Sequence, residues 1–136
     1  MVKKAELRAI PSVENAVGSI GVLEDPSLVP FSVERVYFIY DVPAGSERGS
    51  HAHKNLEQFM VAASGSFTVE LDSGTSKEAF VLDSPSVGLY VPPGMWRDLK
   101  DFAPNSICLV LASTKYEESD YLRDYEEFLS WAGKNS

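Results

Sequence analysis

Short runs of β-branched and aromatic residues, separated by turn residues, recur along most of this chain. The clearest run is ERVYFIYDV (34–42), and FTVELD (67–72), KEAFVL (77–82) and VGLYV (87–91) follow it. Runs at a spacing of about 8–12 residues with turn signals between them are typical of a β-sandwich or a β-barrel. The length of 136 residues suits one domain, 1–136, around one hydrophobic core. The sequence therefore predicts a single all-β domain.

The segments between these runs predict how the strands connect. We expect another strand at 17–24, and HAHKNLEQFMVAAS (51–64) predicts two strands with a bend near Lys54 and Asn55. The segments SGS (64–66) and DSGTS (72–76) are typical of hairpin connections. A nearly continuous apolar run at 106–113 predicts a strand that is buried on both faces.

The end of the chain changes to a helical period. Its apolar side chains fall at helical spacing, at Tyr121, Leu122, Tyr125, Phe128 and Leu129. Ser119 or Asp120 is the predicted N-cap, and Gly133 is the predicted end. We expect this short C-terminal helix to cover an open face or edge of the sheet.

Charge and composition argue against several classes of partner. The net charge of −8 opposes binding to a nucleic-acid backbone, so we expect no nucleic-acid partner. The sequence contains no run of about 18 apolar residues, so we expect no membrane span. Its first residues lack the apolar core of a secretory signal. The single cysteine, Cys108, lies in an apolar run and is interpreted as a buried structural thiol. These features predict a cytoplasmic protein.

Both histidines of the chain lie in the stretch RGSHAHKNLEQF (48–59). On a strand, residues i and i+2 project from the same face, so His51 and His53 are expected side by side. They could act in proton transfer, form a structural pair, or bind a metal together with Glu57. The residues alone leave these three possibilities open.

The spacing around the histidines resembles the two motifs of the cupin superfamily. The first motif would comprise Gly45, His51, His53, Glu57 and Gly65. The second would comprise Gly88, the turn Pro92-Pro93-Gly94 and, where metal-binding cupins have a third histidine, Arg97. A guanidinium is a permanent cation without a lone pair to donate, so it cannot ligate a metal and would repel one. We therefore favour proton transfer and expect no metal.

A longer resemblance concerns a particular family of sugar cupins. Three stretches, 34–66, 82–102 and 110–128, are similar to the dTDP-4-keto-6-deoxyglucose 3,4-ketoisomerases, which are WxcM-like, RmlC-like cupins. The motifs Arg-Gly-x-His-Ala-His-Lys, Leu-Glu-Gln, Gly-Leu-Tyr-Val and Asp-Tyr-Leu-Arg-x-Tyr occur in the family's order. The resemblance implies an RmlC-like cupin β-barrel or jelly roll. It also implies a homodimer that exchanges N-terminal strands.

The resemblance further implies the reaction. These enzymes move a ketone from C4 to C3 of a dTDP-linked 4-keto-6-deoxyhexose, without a metal or redox cofactor, on the way to a 3-amino sugar. The reaction removes the proton at C3 and returns one at C4 through an enediol or enediolate, which requires a base, an acid and hydrogen-bond donors. By position, His51 is the expected base. His53 is its expected partner, which polarises the carbonyl or relays the proton, and Tyr37 is expected to donate to a substrate oxygen.

The remaining substrate-binding residues are also expected from position. Arg35 and Arg48 are candidates for binding the diphosphate, because a planar guanidinium can bind a phosphate with two hydrogen bonds. Lys54 and Glu57 could orient the site or pair with each other. Trp96 could flank the sugar or the thymine, or it could fill the barrel.

Two positions depart from the commonest family pattern. Val17 stands where many members have an arginine, and Arg97 stands where many have a histidine. Both are candidate substrate-binding positions, and Arg97 resembles the branch that gives the gluco-configured 3-ketosugar.

Three other functions are alternatives for these residues. One is a metal-dependent cupin oxygenase, and another is a non-catalytic cupin that binds a sugar nucleotide. A third, ranked lower, is an epimerase that acts at C3 and C5 of the same sugar.

Overall fold

The computed structural model describes residues 4–135, in which twelve β-strands precede one α-helix. The strands are β1 (Glu6–Ala9), β2 (Ser12–Asn15), β3 (Gly18–Gly21), β4 (Arg35–Ile39), β5 (Arg48–His53), β6 (Gln58–Ser64), β7 (Phe67–Asp72), β8 (Lys77–Leu82), β9 (Val87–Val91), β10 (Trp96–Lys100), β11 (Ile107–Ala112) and β12 (Tyr121–Leu122). A 3₁₀ turn, Glu118–Asp120, precedes β12, and the helix α1 spans Tyr125–Lys134.

Two five-stranded antiparallel sheets form the body of the domain. Their strand orders are β1-β9-β6-β11-β4 and β12-β5-β10-β7-β8. The main core lies between them and includes Met60 and Val110 from the first sheet and Val69 and Leu99 from the second. This arrangement is that of a jelly roll, and the predicted all-β fold with a short C-terminal helix is confirmed.

Strand β4 lies at the edge of the first sheet, and its two faces differ in exposure. Arg35, Tyr37 and Ile39 are partly buried, whereas Val36 and Phe38 between them are exposed. Because side chains alternate along a strand, Arg35 and Tyr37 share a face, as predicted. The guanidinium carbon of Arg35 lies 5.2 Å from the centre of the Tyr37 ring.

The predicted connections are partly correct. Strands β7 and β8 pair as a hairpin, and the bend between β5 and β6 falls at residues 54–57. The predicted hairpin at SGS (64–66) is wrong, because β6 and β7 belong to different sheets. Gly65 has a φ of +70° there, and a Cβ on it would lie 2.3 Å from the Ser106 hydroxyl oxygen. The chain thus crosses between the sheets through a glycine that packs against Ser106.

The N-terminal run forms a separate hairpin. Only β3 occupies the stretch 17–24, and it pairs with β2, a strand that the sequence pattern did not predict. Val13 and Ile20 on this hairpin are 56% and 63% exposed. The hairpin therefore buries little apolar surface within its own chain.

The predicted start of the helix is wrong. Tyr121 and Leu122 form β12, which pairs with β5, and α1 is capped by Asp124, whose carboxylate accepts the backbone N–H of Glu127 at 3.0 Å. The carboxylate of Asp120 instead accepts hydrogen bonds from backbone N–H groups of the bend after β5. The helix ends at Lys134, one residue beyond the predicted Gly133.

The helix covers the outer face of the second sheet, as expected. Phe128 is fully buried and packs in one cluster with Ala52, Trp96 and Leu122. No helix within residues 4–135 is long and apolar enough to cross a membrane. On the other sheet, Cys108 is fully buried, and burial raises the pKa of its thiol to about 12, which fits a structural thiol.

Candidate functional site

Strand β5 holds the two histidines between two neighbouring strands. Arg97 on β10 is the cross-strand partner of His51, and Tyr121 on β12 is the partner of His53. The rings of His51 and His53 meet edge to face, with centres 4.9 Å apart. The Tyr121 ring lies 5.0 Å from His51 and 4.3 Å from His53. The histidine pair is therefore packed in an aromatic and cationic setting.

A β-bulge aims His51. The register between β5 and β10 shifts so that Ser50 has no partner of its own, and both Gly49 and Ser50 have positive φ values, +95° and +57°. A Cβ on Gly49 would lie 2.9 Å from the carbonyl oxygen of Arg97, so the close approach of the strands requires glycine. Ser50 donates to Asp98 at 2.5 Å and holds the extra residue. Bulges of this kind re-aim a side chain beside a site.

A buried carboxylate lies behind the pair. His53 is 1% exposed, and its Nδ1 lies 3.3 Å from Oδ2 of Asp120. Asp120 also accepts the backbone N–H groups of Asn55 at 2.8 Å and Leu56 at 3.3 Å, which fix its position. The contact with His53 is close but is not aligned as a hydrogen bond. It makes Asp120 the acidic group best placed to select the tautomer of His53.

The environment keeps both histidines neutral near pH 7. Burial, and then the charge of Arg97, lower the pKa of His51 to about 4. The same causes, in the same order, lower the pKa of His53 to about 2. A neutral imidazole is the form that can accept a proton. The site therefore favours histidine as a base rather than as a resident cation.

Arg97 is the only arginine among the fully buried side chains of the described residues. It donates to the side-chain oxygen of Gln58 and, at 3.1 Å, to the carbonyl oxygen of Met95, and its Nε has no hydrogen-bond partner. Within residues 4–135 it forms no ion pair with a carboxylate. Burial lowers its pKa to about 10, so it remains a cation at neutral pH. This cation would attract negative charge on a bound molecule.

An open cavity of about 670 Å³ brings half of the predicted residues together. His51, Tyr37, Arg35, Arg48 and Arg97 all line it. Arg123 also lines the cavity, beside the predicted arginines. Glu47 is the one acidic residue in the described lining. Four of the chain's 12 basic residues thus converge in a protein of net charge −8. The cavity suits an anionic ligand beside a neutral histidine base.

Comparison with known proteins agrees with this geometry. The sequence model of the family FdtA, described as WxcM-like, C-terminal, matches residues 3–133. The chain belongs to the FdtA family.

Relatives of the FdtA family also match across most of their length. A TDP-4-oxo-6-deoxy-alpha-D-glucose-3,4-oxoisomerase from Aneurinibacillus thermoaerophilus is 44% identical over 86% of this chain and 84% of the relative. The structure of the WlaRB TDP-quinovose 3,4-ketoisomerase from Campylobacter jejuni has a TM-score of 0.90 and 40% identity, covering 95% of this chain and 99% of that one. QdtA, a sugar 3,4-ketoisomerase from Thermoanaerobacterium thermosaccharolyticum solved with TDP, has a TM-score of 0.94 and 34% identity, covering 99% and 98%. A histidine-to-asparagine mutant of QdtA was solved with TDP-4-keto-6-deoxyglucose.

Besides the buried His53, four other predicted residues lie outside the lining of the cavity. Trp96 packs against Tyr125 and Phe128, with ring centres 5.2 Å and 5.7 Å away, so its position favours the structural role. Lys54 does not line the cavity, and its backbone N–H donates to the carbonyl oxygen of Asp120 at 2.9 Å. Val17 is 95% exposed in the turn of the β2–β3 hairpin.

The fourth residue, Glu57, bears on the metal-dependent alternative. Its carboxylate accepts a hydrogen bond from the hydroxyl of Tyr90 on β9. No group of three or more His, Cys, Asp or Glu residues in the described chain is arranged to hold a metal. The set of two histidines and one carboxylate that a cupin oxygenase would use is thus not assembled there.

Several residues in or beside the cavity were not predicted as site residues from the sequence. The sequence pattern predicts Asp120 as a helix cap and Tyr121 within the helix, and Arg123 follows in the same segment; Gln58 lies in the Leu-Glu-Gln motif without a predicted role. The signal that could have found the first three is the Asp-Tyr-Leu-Arg motif, which carries an acid, an aromatic ring and a cation in four residues. Arg123 stacks on Tyr121 at 4.1 Å and is held by Glu118 through hydrogen bonds of 2.8 and 2.9 Å.

Proposed function

We propose that this protein is a 3,4-ketoisomerase that converts dTDP-4-keto-6-deoxyglucose to a dTDP-3-keto-6-deoxyhexose. The observation that carries the proposal is the cavity in which neutral His51 lies beside Tyr37 and four arginines, in a chain of the FdtA family. Relatives named as 3,4-ketoisomerases and solved with TDP or with the 4-keto sugar support the substrate class. A charged nucleotide sugar does not cross a membrane unaided, which favours the cytoplasmic location predicted from the sequence.

The reaction begins with proton abstraction at C3. His51 borders the cavity and is neutral, so it takes the C3 proton while the electrons of the C–H bond form the C3–C4 double bond of an enediolate. The C4 carbonyl oxygen then carries negative charge. Return of a proton to C4 and transfer of the O3 proton to O4 restore a ketone at C3 and a hydroxyl at C4. No external electron donor or acceptor takes part.

His53 acts behind His51 in this scheme. It is 1% exposed and absent from the described lining, so it reaches the substrate through its neighbour rather than directly. The edge-to-face contact of the two rings and the nearby carboxylate of Asp120 support a relay or positioning role. Of the two roles expected for His53, relay is the one that the geometry favours.

The positive charges serve two parts of the substrate. Arg97, opposite His51, is placed to lower the energy of the enediolate, because a charge in a buried site acts more strongly than one in water. Arg48 and Arg123 are exposed at the cavity and suit the diphosphate. Arg35 stacks over Tyr37 and extends the same positive surface.

The configuration of the product is a finer part of the proposal. Arg97 resembles the branch that gives the gluco product, and the Campylobacter jejuni relative is named for TDP-quinovose, the sugar of gluco configuration. We therefore expect dTDP-3-keto-6-deoxyglucose, which an aminotransferase would convert to a 3-amino sugar.

A homodimer would explain the position of Val17. This residue is 95% exposed, and the apolar side chains of Val13 and Ile20 are largely exposed on the same hairpin. An isolated two-stranded hairpin is marginally stable in water, so a second chain that covers it would stabilise it. Exchange of N-terminal strands would let Val17 approach the partner's cavity. Light scattering of the parent and of a V13T/I20T variant tests this, with a dimer and a weakened dimer as the expected results.

The activity is tested with a pair of nucleotide sugars. The purified protein is incubated with dTDP-4-keto-6-deoxyglucose or GDP-4-keto-6-deoxymannose, and the products are followed by proton NMR. Conversion of the dTDP sugar alone to a 3-keto sugar is the expected result. Binding of dTDP without conversion of either sugar would support the non-catalytic binding cupin instead.

A further inference from the structure

Gln58 is a buried amide that joins the two sheets at the cavity. It is 1% exposed at the start of β6, where its side chain contacts Tyr37 of its own sheet and Arg97 of the facing sheet. It is also the only glutamine in the chain. Neither the sequence motifs nor the proposed chemistry assigns it a role.

The partners of Gln58 determine which way its amide faces. The guanidinium of Arg97 only donates, so it must meet the amide oxygen, and Nη1 of Arg97 donates to Oε1 of Gln58. The amide nitrogen therefore faces Tyr37, and Nε2 donates to the hydroxyl oxygen of Tyr37 at 2.8 Å. A flipped amide would place two donors against each other.

This order of donors determines what Tyr37 can do. Because its oxygen accepts from Gln58, its own O–H must point elsewhere, and Tyr37 lines the cavity. Burial raises the pKa of Tyr37, so the hydroxyl keeps its proton at neutral pH. The hydroxyl proton is thus available to a ligand oxygen and is not used by Gln58.

We propose that Gln58 is a positioning residue that makes Tyr37 a hydrogen-bond donor to the oxygen that becomes negative in the enediolate. The inference rests on the proposed ketoisomerase function, since it deepens the role of Tyr37 in that reaction. The chain of donors runs from Arg97 to Gln58 to Tyr37 to the sugar. The charge of Arg97 polarises each hydrogen bond in turn, which strengthens the last one when the oxyanion forms.

Gln58→Glu tests the direction of these hydrogen bonds with almost no change in shape. A glutamate accepts from Arg97 and also accepts from Tyr37, so it turns the hydroxyl proton away from the cavity. Loss of one oxyanion donor lowers kcat by about 10²-fold in a comparable site. We expect a decrease in kcat of that order, with the dissociation constant of dTDP within about twofold of the parent, since Gln58 is absent from the cavity lining.

The second half of the test is a double-mutant cycle with Tyr37→Phe. If Gln58 acts through Tyr37, the two losses in kcat are far from additive, and adding Tyr37→Phe to Gln58→Glu costs about twofold or less. Asn105→Asp adds the same charge at an exposed turn outside the cavity and should leave kcat unchanged. If Gln58→Glu does not fold, the same cycle is run with Gln58→Leu, for which non-additive losses are again expected.

The outcomes separate this inference from the proposed function. A parent protein that converts no dTDP-4-keto-6-deoxyglucose contradicts the function itself. A parent that is active, with unchanged kcat in Gln58→Glu or with fully additive losses in the cycle, overturns the positioning role alone. An effect confined to KM would also overturn it, because it would place Gln58 in ground-state binding.

Discussion

Nδ1 of His53 lies 3.3 Å from Oδ2 of Asp120, although residues 54–119 separate the two along the chain. The short strand β12 follows Asp120 and pairs with β5, so that main-chain pairing brings the carboxylate to the histidine. The hydrogen bonds from Asn55 and Leu56 hold the carboxylate there. This pairing gives the inner histidine a partner of the kind that orients imidazoles in acid–base sites.

Replacement of Asp120 tests this pairing. We expect Asp120→Asn to lower kcat by about 10²-fold, because the amide no longer favours one tautomer of His53 through its charge. The free energy of unfolding should decrease by about 1–3 kcal/mol, because the asparagine has an NH₂ donor where one carboxylate oxygen of Asp120 accepts from the bend after β5. The measurement is steady-state kinetics beside calorimetry. If a folded Asp120→Asn protein keeps the kcat of the parent, Asp120 has only a structural role.

His51→Asn tests the identity of the base. The amide keeps polarity at the cavity but cannot accept a C3 proton, so we expect kcat to decrease by about 10³-fold or more. Binding of dTDP, measured by calorimetry, should stay within about threefold of the parent because the arginines that suit the diphosphate are untouched. Retention of more than a tenth of the parent's kcat would rule out His51 as the base.

The pH profile tests the electrostatics of the histidine pair. Activity is lost as pH falls through the pKa of the base, and an ordinary histidine titrates near 6.5. Because the pKa of His51 is lowered to about 4, kcat/KM should stay level as pH falls from about 7.5 to 5.5. Arg97 contributes to that lowering, so Arg97→Gln should move the acidic limb to higher pH. A parent profile with its midpoint near 6.5 would contradict the account.

Gly49→Ala tests the bulge that aims His51, with Gly45→Ala as a matched control. Both glycines have positive φ, +95° and +81°, so each alanine is strained by its backbone. Only the Cβ at Gly49 meets another atom, the Arg97 carbonyl oxygen at 2.9 Å, whereas that at Gly45 meets nothing within 4 Å. We expect Gly49→Ala to lower the free energy of unfolding, measured with denaturant, by about 1–3 kcal/mol more than Gly45→Ala does. We also expect Gly49→Ala to lower kcat. Equal costs for the two variants would remove the steric argument.

The strands could be predicted from the sequence because their pattern follows from local physics. Alternating or continuous apolar runs bounded by turn residues located β4, β7, β8, β9 and β11 well, whereas β10 was not predicted. The SGS (64–66) connection failed because a short polar turn fits a hairpin and a crossing between sheets equally, and only the pairing of β6 with β9 and β11 decides between them. The helix start failed because the carboxylate of Asp120 binds distant backbone groups instead of its own helix.

The site could be predicted only in part, and for a similar reason. His51, Tyr37 and the three predicted cavity arginines follow from spacing along strands and from family resemblance. Glu57 and Trp96 were placed by motif position, which does not say which side of the barrel a side chain contacts. The roles of Asp120 and Gln58 depend on contacts between distant strands, which the motifs that contain these residues do not reveal.

The central claim is that His51 takes the C3 proton and that a proton exchanged with solvent is returned to C4, without help from a bound metal. The most direct test is proton NMR of the chelator-treated protein with dTDP-4-keto-6-deoxyglucose in deuterated water. The account predicts a 3-keto product that carries deuterium at C4, with couplings of neighbouring protons that report the gluco configuration. Unchanged substrate, with turnover restored only when a metal ion is added, would contradict it.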